Sequence, residues 1–99
     1  MTIRSQARVG TGKPARYAKQ LSSHLGRRCV VSEEPDGIRI TLPAGSGVGS
    51  CLLVNESDVL ALGAEAKNAE VLDRVQDVLG RHLERFGQRD ELKVNWTND

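Results

Sequence analysis

The spacing of apolar residues along this chain switches between two and three-to-four, and each switch marks an element. Residues 2–9, TIRSQARV, alternate, with Ile3, Ser5, Ala7 and Val9 on one side and Arg4, Gln6 and Arg8 on the other, the pattern of a half-buried strand. GTGKP at 10–14 breaks it, and Pro14 suits a first helical turn, where its missing N–H would have no partner. In residues 14–25, PARYAKQLSSHL, Tyr17, Ala18, Leu21 and Leu25 form one helical stripe, and Gly26 predicts a left-handed terminator. CVVS (29–32), GIRITL (37–42), VGSCLLV (48–54) and DVLALGA (58–64) are short strand-like runs separated by the turns EPDG, PAGSG and NESD. That succession predicts a four-strand antiparallel meander. Residues 68–86 return to helical spacing through Val71, Leu72, Val75, Val78, Leu79, His82, Leu83 and Phe86. Asn68 is placed to cap that helix, with Glu70 and Asp73 early and Arg81 and Arg85 late, as the helix dipole prefers. ELKVNWT at 91–97 alternates again and predicts a C-terminal strand or extended arm.

The order β-α-β-β-β-β-α-(β) describes one α+β domain over residues 1–99. Two helices with one apolar stripe each are accommodated most simply on a single face of an antiparallel sheet, leaving the other face open. An open face should be polar. Here Leu52 and Leu53 point opposite ways, as do Val59 and Leu60, so apolar residues reach both faces. The expectation is an interaction surface of Leu52 and Leu60 rimmed by Arg4, Arg8 and Arg39, suited to a homodimer or another protein partner. The competing expectation is that the C-terminal arm folds over this surface and closes it with Trp96.

Length and composition narrow the class. Ninety-nine residues support one modest core, and with one Phe, one Trp and one Tyr that core must be aliphatic. No apolar run approaches the ~20 residues of a membrane span, so no membrane partner is expected. The first residues lack a signal-like apolar stretch, and Cys29 and Cys51 are too few for a disulfide scaffold, which together predict a cytoplasmic protein with free thiols. Residues 1–28 hold Arg4, Arg8, Lys13, Arg16, Lys19, Arg27 and Arg28 and no acid, whereas the whole chain carries a net charge of +1. This asymmetry raises nucleic-acid binding as an alternative, with Arg4, Arg8, Arg16 and Lys19 against phosphates. Tyr17 and Trp96 fall in apolar registers, however, and are not free to stack on bases.

Candidate chemistry is sparse. GSGVG in the loop PAGSGVGSC (43–51) lacks the third glycine of a dinucleotide fingerprint and precedes a strand, so its glycines predict only a hairpin with φ > 0. GTGKP lacks the first glycine of a P-loop, and Pro14 stands where Ser or Thr would hold magnesium. No cofactor is predicted. His24 flanks the first apolar stripe and His82 lies within the second; with Cys29 and Cys51 they have no local metal-ligand spacing. Arg27 and Arg28 could depress the pKa of Cys29, but its strand context argues for an inert thiol. No pair of carboxylates is placed for acid–base work.

ARYAKQLSSHLG at 15–26 and RHLERFGQRDELKVNW at 81–96, with the meander between, resemble a bacterial family called domain of unknown function 2218. The resemblance rests on Arg16-Tyr17, Lys19-Gln20-Leu21, His24, the helix ending His82-Leu83-Glu84-Arg85-Phe86, and Glu91-Leu92 with Val94 and Trp96. It implies a β-α-β4-α arrangement similar to the TATA-binding-protein-like fold, which carries no function with it. Some relatives bear the label dihydroxyheptenedioate aldolase. That enzyme resembles a much larger metal-containing barrel, for which this chain has neither the length nor the ligands. An association of other relatives with siderophore-interacting flavoproteins implies an accessory role in iron handling. A site shared with the family would involve Arg16, His24, His82 and Arg85. The expectation is a non-catalytic binding or interaction module; an enzyme or metal site around His24 and His82 is the alternative from another class.

Overall fold

A computed structural model describes residues 2–43, 45 and 47–98. The elements are β1 (Ile3–Gly10), α1 (Pro14–Leu25), β2 (Val30–Glu34), β3 (Gly37–Thr41), β4 (Gly49–Asn55), β5 (Val59–Ala66), α2 (Ala69–Phe86), a short 3-10 turn (Gln88–Asp90) and β6 (Thr97–Asn98). The strands form one antiparallel sheet in the order β2-β3-β4-β5-β1-β6. The meander β2–β5 builds outward by hairpins. β1 then closes on β5 along its whole length, from Ile3 opposite Ala66 to Gly10 opposite Val59.

Both helices lie on the same side of this sheet. Ala7 and Val9 of β1, Ile40 of β3, Cys51 and Leu53 of β4, and Leu60, Leu62, Ala64 and Ala66 of β5 point toward them and are buried. The helices meet them with the predicted stripes, Tyr17, Ala18, Leu21 and Leu25 from α1 and Val71, Leu72, Val75, Leu79 and Leu83 from α2. α2 begins where Asn68 Oδ1 accepts the Val71 N–H at 2.9 Å, so the cap acts as its sequence position suggests.

Three expectations change in detail. Leu60 belongs to the buried face, fully enclosed under the helices, and its neighbour Val59 takes the open face. Gly26 ends α1 in the right-handed region (φ −62°), not the left-handed one; a side chain there would come within 2.7 Å of the Ser22 carbonyl oxygen. The C-terminal arm does not cover the open face. Leu92 packs over Gly87, and Val94 and Trp96 lie against Gly80 of α2 before Thr97 and Asn98 pair with Gln6 and Ser5. An α2 carboxylate holds the arm, Glu84 accepting the Val94 N–H at 2.9 Å. Within the glycine loop, Ala44 and Ser46 lie outside the described residues. Gly45 and Gly47 have φ of 94° and 96°, as the hairpin reading requires.

Candidate functional site: a cationic cleft beside two histidines

The helix packing that buries Leu21 and Leu79 also brings together the two histidines of the chain. Their ring centroids lie 5.0 Å apart, and the Phe86 ring stands edge-on to His24 at 5.4 Å. His82 Nδ1 is 2.6 Å from the Val78 carbonyl oxygen. A carbonyl can only accept, so Nδ1 carries the proton and Nε2 is left available.

His24 and His82 line a cleft of about 400 Å³ between the end of α1, the middle of α2 and the residues that follow β3. Leu25, Leu42, Pro43 and Val78 form its apolar wall. Arg27 and Arg28, from the turn after α1, and Arg74, from α2, add charge, and no carboxylate lines the cleft among the described residues. Arg74 is 3.5 Å from Glu70 one turn earlier; Arg27 and Arg28 make no ion pair among the described residues. On the far side of His24 an open depression of about 490 Å³ is lined by Arg16, Lys19, Gln20, Arg27 and Phe86. His24 is thus a wall shared by two basic hollows.

Of the site residues expected from the sequence, His24 and His82 converge, and Arg16 joins them only through the second hollow. Arg85 is exposed and lines neither. Arg27, Arg28 and Arg74 were missed as site residues. The signal for Arg74 lay in the spacing 74, 78, 82, a single line along α2. Nothing in the sequence shows that the turn after α1 faces that line.

Cys29 also borders the cleft, and partial burial raises its thiol pKa, with no lowering by Arg27 or Arg28. Cys51 is enclosed in the core, and burial pushes its thiol up to about 12. Neither has the lowered pKa of an activated nucleophile. Among the described residues no three His, Cys, Asp or Glu side chains gather to hold a metal ion.

The open face of the sheet is more polar than its sequence suggests. Arg39 lies across it, with Nε 2.6 Å and Nη2 3.2 Å from the two Glu34 carboxylate oxygens and Nη1 2.9 Å from Ser50 Oγ and 3.2 Å from Glu65. Arg39 holds the Glu34 carboxyl below its ordinary range. Arg4 pairs with Glu65 at 3.4 Å, and Arg8 with Glu56 through Nη1 and Nη2. Leu52 does sit on this face, half-buried among Val54, Ala61 and Gly63. The two aromatic residues considered for nucleic acid are occupied. Tyr17 is buried, its hydroxyl donating to Asp90 Oδ2 at 2.5 Å, which raises its pKa, and Trp96 lies on α2.

No helix among the described residues is long and apolar enough to cross a membrane. No curated protein matches the chain. Among solved structures the chain is similar to one titled "NMR structure of PA4090 from Pseudomonas aeruginosa", with 26% identity and a TM-score of 0.72 over 96% of this chain and 95% of that one. Residues 6–97 match a family described as "Uncharacterized protein conserved in bacteria (DUF2218)". With nearly the whole chain matched, from the middle of β1 to the first residue of β6, this protein belongs to the DUF2218 family.

Proposed function

We propose that this chain is a non-catalytic binding module whose inter-helix cleft takes a small anionic ligand with an apolar portion. One observation carries the reading: Arg27, Arg28, Arg74 and both histidines line a cavity of ligand size that has an apolar wall and no lining carboxylate among the described residues. Guanidinium groups recognise carboxylate or phosphate through paired N–H donors, and His82 adds a fixed ring nitrogen. Leu25, Leu42, Pro43 and Val78 would cover the apolar part. The test is titration with an aromatic carboxylate such as salicylate, followed by amide shifts in NMR. Shifts concentrated at residues 24–29, 42–43 and 74–82, and affinity roughly tenfold weaker in Arg27→Ala or Arg28→Ala, are the expected result, the size of one lost charged hydrogen bond. Shifts elsewhere, or unchanged affinity in both variants, would remove the reading.

A metal site is the second reading, favoured by the His82 geometry. A histidine whose Nδ1–H is held by a carbonyl presents Nε2 as metal-ligating histidines do. The accessory role in iron handling belongs with the first reading, since an anionic ferric chelate would be a ligand of the class that cleft takes. Stoichiometric iron or zinc in the purified protein, lost in His24→Ala and His82→Ala, would favour the metal site. The nucleic-acid alternative is weakened because Arg4 and Arg8 are paired with acids and lie on the sheet face opposite Arg16 and Lys19. The likeness of the element order to the TATA-binding-protein-like fold does not restore it.

A further inference from the structure

β2 is an edge strand, and among the described residues its outer edge has no partner in the sheet. It is also the place where exposed aliphatic side chains cluster, with Val30 63% and Val31 36% exposed. Edge strands are usually guarded by charge. On β2 that charge is sorted by sign: Val30 and Val31 open the strand after Arg27 and Arg28, and Glu33, Glu34 and Asp36 lie at and beyond its end. A strand polarised in this way repels a parallel copy of itself and attracts an antiparallel one.

We infer that β2 pairs with β2 of a second copy of this chain, antiparallel about a twofold axis at Ser32, joining two sheets into one. The register follows from the hairpin. The two-residue turn Pro35-Asp36 makes Glu34 and Gly37 a mutually bonded pair, so Ser32 and Val30 also direct their backbone groups to β3. Val31 and Glu33 then direct theirs to the open edge. Centring the axis on Ser32 sets Val31 of one copy opposite Glu33 of the other, twice, and satisfies every outward group of both residues. Beyond the paired strands, the same register brings the turn that carries Arg28 in one copy alongside the hairpin turn that carries Asp36 in the other. Both sets of helices lie on one side of the joined sheet, because a twofold axis normal to the sheet keeps each face where it is. Ser32 opposes its own copy as a non-bonded pair, with Cα atoms about 4.5 Å apart. That separation lies within the ~4.4–6.8 Å range a disulfide spans.

The test uses the full chain. Sedimentation at high micromolar concentration should give twice the chain mass for the native sequence and the single chain mass for Val31→Pro, which removes an outward N–H while leaving the β3 ladder intact. Circular dichroism of Val31→Pro checks that it is folded. Asp36→Lys should also give the single mass, and adding Arg28→Glu to it should restore the double mass. In a Cys29→Ser background, Ser32→Cys should cross-link to itself under mild oxidation and Val30→Cys should not. A native chain that sediments at single mass, a folded Val31→Pro that stays double, or a Val30→Cys that cross-links as readily as Ser32→Cys would overturn the proposal.

Discussion

At Gly47 two constraints coincide. Its φ of 96° suits a residue without a side chain, and an added Cβ would sit 2.4 Å from Val71 Cγ2. Gly47→Ala should therefore lower stability by about 1–3 kcal/mol in urea denaturation. The control is Gly45→Ala, which has the same sign of φ but open space around the new methyl and should cost less. Cys51 offers a second measurement at this scale. Its folded thiol titrates above the ordinary 9.0, so the neutral thiol contributes stability that is fully present below 9.0 and lost as pH rises through about 12. A Cys51→Ala variant should show a shallower alkaline loss over that window. With a thiol reagent near pH 8, one group per native chain should react, the half-buried Cys29, and both after unfolding.

At the scale of elements, each helix is held at its ends by different means. α1 starts at a proline with no side-chain cap, and the carboxylate of Asp90 steadies its first turns through the Tyr17 hydroxyl. α2 starts at a well-formed cap, so Asn68→Ala should cost about 1 kcal/mol, seen as a shift of the urea midpoint with an unchanged slope. The C-terminal arm is the least regular element. It runs along α2 without strand pairing until Thr97, held by Leu92 over Gly87 and by Glu84 on the Val94 N–H. Its alternation of Leu92, Val94 and Trp96 is real, but the side chains meet a helix instead of a neighbouring strand.

For the whole molecule, the open sheet face is tied together by the charge chain Glu34–Arg39–Glu65–Arg4, which touches β2, β3, β5 and β1 and reaches β4 through the Arg39 bond to Ser50. Arg39 is only 26% exposed and donates four hydrogen bonds to three residues. Arg39→Met should cost on the order of 1–2 kcal/mol, with part of the difference between the proteins vanishing in high salt. The lowered Glu34 carboxyl sets the direction with pH: its contribution is present above the ordinary 4.5 and is lost as pH falls through the depressed value. Urea midpoints of the two proteins should therefore converge on acidification.

Periodicity alone was enough to place α1 at residues 14–25, α2 to within a residue of its start, and the turns of the meander. These are local properties: a stripe repeats every three or four residues, or a proline and a glycine close a hairpin, whatever else the chain does. Alternation also announced that Val59 and Leu60 face opposite ways, but parity has no origin, and only the docked helices decided that Leu60 is buried and Val59 open. The two histidines are 58 positions apart, and the contact between α1 and α2 that joins them puts Arg27, Arg28 and Arg74 at the same opening. The basic N-terminal segment divides in the same way, Arg4 and Arg8 to the sheet face and the later cations to the helix side. Local pattern can name the sides of an element. Which side meets which is settled by burying all the apolar stripes at once, and the cleft is a product of that packing.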